Sequence, residues 1–358
     1  MKHIGKAIAL LLTLALCLSL AACSGEQPPA ASPAASDAPQ ERTEVLELKL
    51  GQLGSERDTD TGIFSTRTFK EYVEEKTNGM IQITIYPDGN LGGEPEMLDQ
   101  VIAGTLDIGF ISSNVLGTIW PEFYMFSLPF AFPDEATYWD IADSPEVKAA
   151  LQEKVDGSGV AVYLGAGYSE FRGCQNTKHP IRCADDFKGL TFRVMAGQIF
   201  TDLFQALGAS TATVPFNELY TSLSQGLVDG EDISPAMMLD QNFYEIEKYH
   251  TSFNMVCGAN PYVVSTACWD KLTDAEKQIF YEAALAGGAA GLEAVQNNLE
   301  QTYEALEGHG VDIIRFEDLT EEEINSCREA VQPIWDSYVD ICGEEFYNLF
   351  CSVRDQHI

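Results

Sequence analysis

The sequence predicts an α/β protein of two lobes joined by a hinge, with one long helix connecting them. Three observations lead there. The chain after its leader runs β-α-β-α-β, the rhythm of a doubly wound sheet. Roughly 310 of the 358 residues follow the leader, more than one hydrophobic core usually serves. Residues 272–306 read as an Ala-rich helical stretch, broken near Gly287-Gly288 and long enough to run along both lobes.

The chain begins MKHIGKAIALLLTLALCLSLAACSG. Lys2 and Lys6 precede an apolar run, 7–20, that is too short to span a bilayer and reads as a secretory signal over residues 1–22. Leu20-Ala21-Ala22-Cys23 resembles a bacterial lipobox, which implies cleavage before Cys23 and a lipid on its sulfur. An ordinary signal cleaved nearby is the alternative. Residues 23–44, rich in Ala, Pro and Ser, bury no core and are expected to form a disordered tether.

VLELKLGQL then alternates apolar and polar residues as a first strand. A polar loop, 55–62, leads to an amphipathic helix over 63–76, stopped at Asn78-Gly79. MIQITIYP is a second strand, GNLGGEPEMLDQVIAG a glycine turn and helix, and LDIGFISS an apolar strand suited to the middle of a parallel sheet. The aromatic run PEFYMFSLPFAFPD lines a pocket or packs in a core. A helix over 144–154 precedes GVAVYLGAGY, a buried strand, and EFRGCQNTKHPI opens the second lobe. TFRV is a strand ending at the small-residue turn Ala196-Gly197, followed by a helix over 199–207 that stops at Gly208. MVCGANPYVVSTACW returns towards the first lobe, and VDIIRF plus helices from Thr320 complete the chain.

The balance of 21 basic against 55 acidic residues argues against nucleic acid and anionic lipid surfaces. Without Lys2 and Lys6 the mature balance is 19 against 55, or −36. An anionic ligand must therefore meet a local, partly desolvated cation. Seven cysteines remain after Cys17 and Cys23. Cys174/Cys183 and Cys342/Cys351 are candidate local bridges, and small core residues are the alternative. No His/Cys cluster has zinc spacing, and the chain carries no GxSxG elbow, Walker loop, post-strand GxGxxG or HExxH. No cofactor or metal is expected. GNLGG resembles a phosphate cradle only weakly and reads better as turn chemistry.

Arg193, within TFRV, sits at a strand end, where open α/β folds bind ligands. Its guanidinium matches a carboxylate, and the alternative is a structural ion pair. Arg172 in the crossing segment is a second candidate clamp. Ser112, Ser113 and Asn114, at the end of the third strand, offer hydrogen bonds to a ligand or cap a turn. Phe216 flanks a ligand or joins the core.

These residues fall within a set of ordered motifs: EYVEEKTNGMIQITIYPDGNLGGEPEML, GTLDIGFISS, LPFAF, DDFKGLTFRVM, ALGASTATVPFNELYTSLSQGLVDG, FYEIEKY and TACWDKL. On them the chain resembles the substrate-binding subunits of TRAP (tripartite ATP-independent periplasmic) transporters over about 45–306. The resemblance implies a periplasmic-binding-protein-like fold that closes on one ligand, with Arg193 pairing with a ligand carboxylate and Arg172 assisting. It implies that Phe216 packs on the ligand, that Glu94, Ser112, Ser113 and Asn114 supply contacts from the first lobe, and that Met195 and Met255 are wall positions. Ile233 stands where many members carry an asparagine that bonds the carboxylate. The loop over 55–62 offers Arg57 and Asp58 instead of the usual histidine-proline pattern, and Asp232 and Asp240 are candidates to read hydroxyls or an amine.

The expected lobes are 45–169 with 259–298, and 170–258 with 299–358. The expected protein is a lipid-anchored extracytoplasmic receptor. It captures a small organic acid for an ion-gradient-driven permease and touches the membrane only through its anchor. An exported enzyme acting on sugar acids and a receptor for a signalling partner are the alternatives.

Overall fold

In LELKLG the alternation is realised as β1 (Leu46–Gly51): Leu48 and Leu50 are buried, while Glu47 and Lys49 face out. Next come α1 (Gly62–Lys76), β2 (Ile81–Tyr86), α2 (Glu94–Ile102) and β3 (Ile108–Phe110). β1 pairs in parallel with both β2 and β3, the doubly wound arrangement that the rhythm predicts. The computed structural model describes residues 42–358, which belong to one compact unit. The signal, Cys23 and the tether up to residue 41 lie outside the described residues. Arg42, expected in the tether, is instead pinned: its Nε donates to Glu276 Oε1 at 2.8 Å.

The chain continues through α3 (Ser113–Leu116), α4 (Glu135–Ala142) and α5 (Pro145–Gly157) into β4 (Ala161–Asn176). Then follow β5 (Thr191–Val194), α6 (Gln198–Ala206), β6 (Ser210–Thr213), α7 (Leu219–Ser224), β7 (Gly230–Ile233) and α8 (Pro235–Asp240). β8 (Tyr249–Ser265), α9 (Thr266–Trp269), α10 (Asp274–Gly308), β9 (Asp312–Ile314), α11 (Glu321–Cys342) and α12 (Glu344–Arg354) complete it.

The described strands form one nine-stranded mixed sheet in the order β2-β1-β3-β8-β4-β7-β5-β6, with β9 beside β8. The two lobes share β4 and β8. These long antiparallel strands run through both, with register shifts between Tyr163 and Tyr168 and between Arg172 and Cys174. The sequence divides β4 into a strand and a crossing segment, but it is continuous. β7 (GEDI) escapes the sequence reading because two of its four residues are acids, yet all four are buried.

The predicted break near Gly287-Gly288 does not occur: α10 is 35 residues long and uninterrupted. The glycines there serve packing. A Cβ on Gly288 would lie 2.1 Å from the Trp139 ring, one on Gly287 2.6 Å from Tyr262 Oη, and one on Gly291 2.9 Å from Tyr168 Cβ. Their bare backbone lets α10 pack closely against β4 and α1. The capping box of Thr273 and Glu276 starts the helix, and Thr320 with Glu323 does the same for α11.

The aromatic run takes the core alternative. Phe123, Phe126 and Phe132 are buried, and Phe350 of α12 meets Phe126 edge-on at 5.5 Å. Cys174, Cys183, Cys342 and Cys351 are free thiols, so neither local bridge forms. No described helix is long and apolar enough to cross a membrane.

Candidate functional site

Between the loop preceding α1, the end of β3, the middle of β4 and β8 and the ends of β5 and β7 lies a cavity of about 100 Å³. Its wall includes Arg193, Arg172, Phe216, Met195, Ser112, Glu94 and Ile233, all singled out from the sequence. Strand geometry explains how β4 contributes. Residues two apart share a face, so Tyr168, Glu170 and Arg172 all line the cavity. On β8, Asn260 pairs with Tyr168 and Gly258 with Glu170, and both also line it. Gly258 leaves room for its neighbour: a Cβ there would be 3.3 Å from Arg172 Cγ.

Arg193 is buried, and among the described residues its guanidinium makes one hydrogen bond, from Nε to the Val214 carbonyl at 2.9 Å. It has no salt bridge among them, and Phe216 stands over it with the ring centroid 5.8 Å from Cζ. Burial pulls the Arg193 pKa below its ordinary value, while Glu231 pulls the other way. The structural ion pair belongs to Arg172, whose Nε donates to Asp232 Oδ2 at 2.6 Å and whose Nη2 donates to the Asp232 carbonyl. Asp232 is therefore committed to Arg172 and does not line the cavity.

Glu94 accepts from Ser112 twice, at Oε1 from the main-chain N–H (2.7 Å) and at Oε2 from the hydroxyl (2.8 Å). Burial pushes its pKa up, opposed by these bonds and by both arginines. Ser113, Asn114 and Met255 are buried and do not line the cavity. Ser113 Oγ lies 3.4 Å from Ser127 Oγ. Asn114 Nδ2 donates to the Ala196 carbonyl, bridging to the turn after β5. That turn needs its glycine: Gly197 has φ +112°, and a Cβ there would sit 2.7 Å from Asn114 Oδ1. Met255 is a core residue whose carbonyl accepts from Phe130 N–H.

Sequence reasoning missed Gln52, Asp60, Tyr168, Glu170 and Asn260. The period-2 pattern around Arg172 was the available signal for Tyr168 and Glu170. Gln52 holds the cavity loop, donating to the Gly54 and Ser55 carbonyls at 3.0 and 3.1 Å. Glu170 accepts from Thr61 Oγ1 at 2.6 Å, from the Tyr168 hydroxyl and from Ala236 N–H at 3.4 Å. Behind Arg193, Glu231 and Glu247 are fully buried and receive no hydrogen bond from a fixed donor. Burial raises both pKa values, and the charge of Glu231 raises Glu247 further. Two such carboxyls cannot both ionise cheaply. Among the described residues, no group of three or more His, Cys, Asp or Glu is arranged to hold a metal ion.

A buried arginine with its outer edge unpaired, a second arginine braced by an acid and a cavity closed by two lobes form a receptor for a small anion. The comparisons agree. Residues 54–340 match the family described as bacterial extracellular solute-binding protein, family 7. The C4-dicarboxylate-binding periplasmic protein DctP of Rhodobacter capsulatus is 26% identical, over 77% of this chain and 82% of its own. The sugar acid binding protein DctPAm of Advenella mimigardefordensis, solved with galactonate, has TM-score 0.82 and 27% identity, covering 88% of this chain and 99% of that one. A TRAP periplasmic solute binding protein of Polaromonas, bound to D-erythronate, has TM-score 0.79 and 26% identity, covering 86% and 98%. The chain belongs to the family 7 extracellular solute-binding proteins, the substrate-binding proteins of TRAP transporters.

Proposed function

We propose that Arg193 is the carboxylate anchor of an extracytoplasmic receptor that captures a small organic acid for a TRAP-type membrane permease. The observation that carries this reading is a buried guanidinium bonded, among the described residues, only through Nε, which leaves both terminal nitrogens for a carboxylate fork. Phe216 covers the pair, and Arg172, oriented by Asp232, supplies the second cation. Galactonate and D-erythronate in the related structures favour a ligand of sugar-acid size.

The ligand enters between lobes 45–169 with 259–298 and 170–258 with 299–358, and hinge closure desolvates the arginines. The protein binds and releases without chemistry. In its mature form Cys23 carries a lipid that holds it at the outer face of the cell membrane, and mass measurement of the mature N-terminal peptide tests this.

A thermal-shift screen of monocarboxylates, dicarboxylates, 2-oxo acids and sugar acids, followed by calorimetry, tests the function. At least one acid should stabilise the protein reversibly and be recovered unchanged. Arg193→Ala should cost about 3–5 kcal/mol of binding, and Arg193→Lys should also bind poorly because one ammonium cannot present the fork. Wild-type affinity in Arg193→Ala would sink the anchor; turnover of the bound acid would favour an enzyme.

A further inference from the structure

The cavity wall carries an acceptor that the protein leaves unused. Asp60, only 4% exposed, lines the same cavity as Arg193. Its Oδ1 accepts the Gly62 N–H at 2.8 Å, whereas Oδ2 has no hydrogen-bond partner among the described residues. A buried carboxylate oxygen without a donor is costly, and such atoms are normally paired. Asp60 has no salt bridge among the described residues; burial and the charges of Asp240 and Glu170 raise its pKa, the Gly62 and Ser55 N–H groups lower it, and its charge reaches Arg57. Glu170, beside it on the wall, is already saturated by Thr61, Tyr168 and Ala236. The arginines act on a different set of acids: Glu94, Glu231 and Asp232. The wall therefore has a cationic region at Arg172 and Arg193 and a separate acceptor region in which Asp60 makes no ion pair among the described residues.

Resting on the receptor reading, we infer that Asp60 selects the ligand's second functional group. The preferred ligand is a monocarboxylate whose remainder donates hydrogen bonds, and a dicarboxylate is rejected. The carboxylate occupies Arg193, and a hydroxyl or ammonium on the remainder donates to Asp60. A second carboxylate brought to Asp60 Oδ2 would meet like charge in place of a donor. Discrimination of this kind is large when a site built for a donor meets a ligand that lacks one.

Galactonate and 4-aminobutyrate carry hydroxyl and ammonium donors respectively, and succinate is the dicarboxylate probe. Calorimetry on the full mature chain should give at least one donor-bearing probe an affinity about tenfold or more above that of succinate. Asp60→Asn turns the unused acceptor into an amide and should narrow the ratio about tenfold, mainly by strengthening succinate. Gly54→Ala is an independent variant: its Cβ would lie 1.8 Å from Asp60 Oδ2 and must displace that carboxylate. It should narrow the ratio in the same direction, and circular dichroism checks that both variants fold. Succinate binding as tightly as the other probes, or a ratio unchanged in both folded variants, overturns the inference while leaving the receptor reading standing. No binding of any carboxylate in the thermal-shift screen overturns the receptor reading itself, and wild-type affinity in Arg193→Ala overturns the anchor.

Discussion

Asp240 and Arg57 clasp the two sides of the cavity mouth: Arg57 Nε donates to Asp240 Oδ1 at 2.8 Å, and Arg57 Nη2 donates to the Asp240 carbonyl at 2.7 Å. The same carboxylate oxygen accepts from Ser55 Oγ at 2.9 Å and Thr59 Oγ1 at 2.7 Å. These bonds join the loop before α1 to the end of α8, and both segments border the cavity. The Asp240 side chain is fully covered, whereas that of Arg57 is more than half exposed.

This asymmetry predicts unequal mutants. Asp240→Ala strands two hydroxyls and a guanidinium and should destabilise the protein by about 2–3 kcal/mol in urea unfolding. It should also enlarge the radius of gyration of the ligand-free protein in small-angle scattering. Arg57→Ala should cost less than about 1 kcal/mol, because its partner keeps the hydroxyl donors and the arginine is solvated. Equal effects of the two substitutions would show that the carboxylate is not the organising centre.

The two cavity arginines should separate stability from binding. Arg172→Ala leaves Asp232 buried and unpaired, so about 3–5 kcal/mol of unfolding free energy should be lost. Arg193→Met removes a buried cation that lacks a fixed acid partner and keeps the apolar stem. The melting temperature of the ligand-free protein should then hold or rise while organic-acid binding disappears. A large drop in melting temperature for Arg193→Met would make Arg193 a structural residue after all.

Buried acids set the pH dependence. Burial raises Asp60 and Glu170 to about 7 each, and Glu231 and Glu247 are raised as well. A carboxyl whose folded pKa exceeds its unfolded value binds more protons in the native state. Its contribution is complete below the unfolded value near 4 and is lost as pH rises through the folded value. The ligand-free protein should therefore lose stability between about pH 5 and pH 8. Asp60→Asn and Glu170→Gln should each flatten that slope. A melting temperature that climbs over the same interval in wild type would refute the burial argument.

Gly288→Ala tests α10. Alanine favours a helix by about 1 kcal/mol over glycine, but here its Cβ would lie 2.1 Å from the Trp139 ring. The substitution should destabilise despite the propensity gain. Gly308→Ala, with nothing within 4 Å of its Cβ, should be neutral or mildly stabilising. Chemical denaturation of both variants gives the comparison.

Local pattern made the parallel strands around β1, the TFRV strand with Arg193 near its end and the capped helices legible in the sequence. What stayed hidden depends on distant partners. β7 does not read as a strand because Glu231 and Asp232 look like solvated residues until Glu247 and Arg172 are placed against them. Nothing adjacent in sequence tells that Asn114 reaches Ala196, or that Asp232 braces Arg172 rather than a ligand. The α10 glycines read as a break because the aromatic rings filling their places come from residues 139, 168 and 262.

β4 carries one more consequence. Its register shifts flank a regular stretch in which residues 168–172 pair with residues 256–260, and Tyr168, Glu170 and Arg172 lie within it. A bulge bends and twists its strand locally, so the irregular geometry of β4 lies on either side of these three side chains. On the hinge closure proposed above, they would serve as an axle common to both jaws. A ligand held there would bear on the pivot as well as on the closing surfaces, so the torque that shuts the protein would act where the least movement is needed.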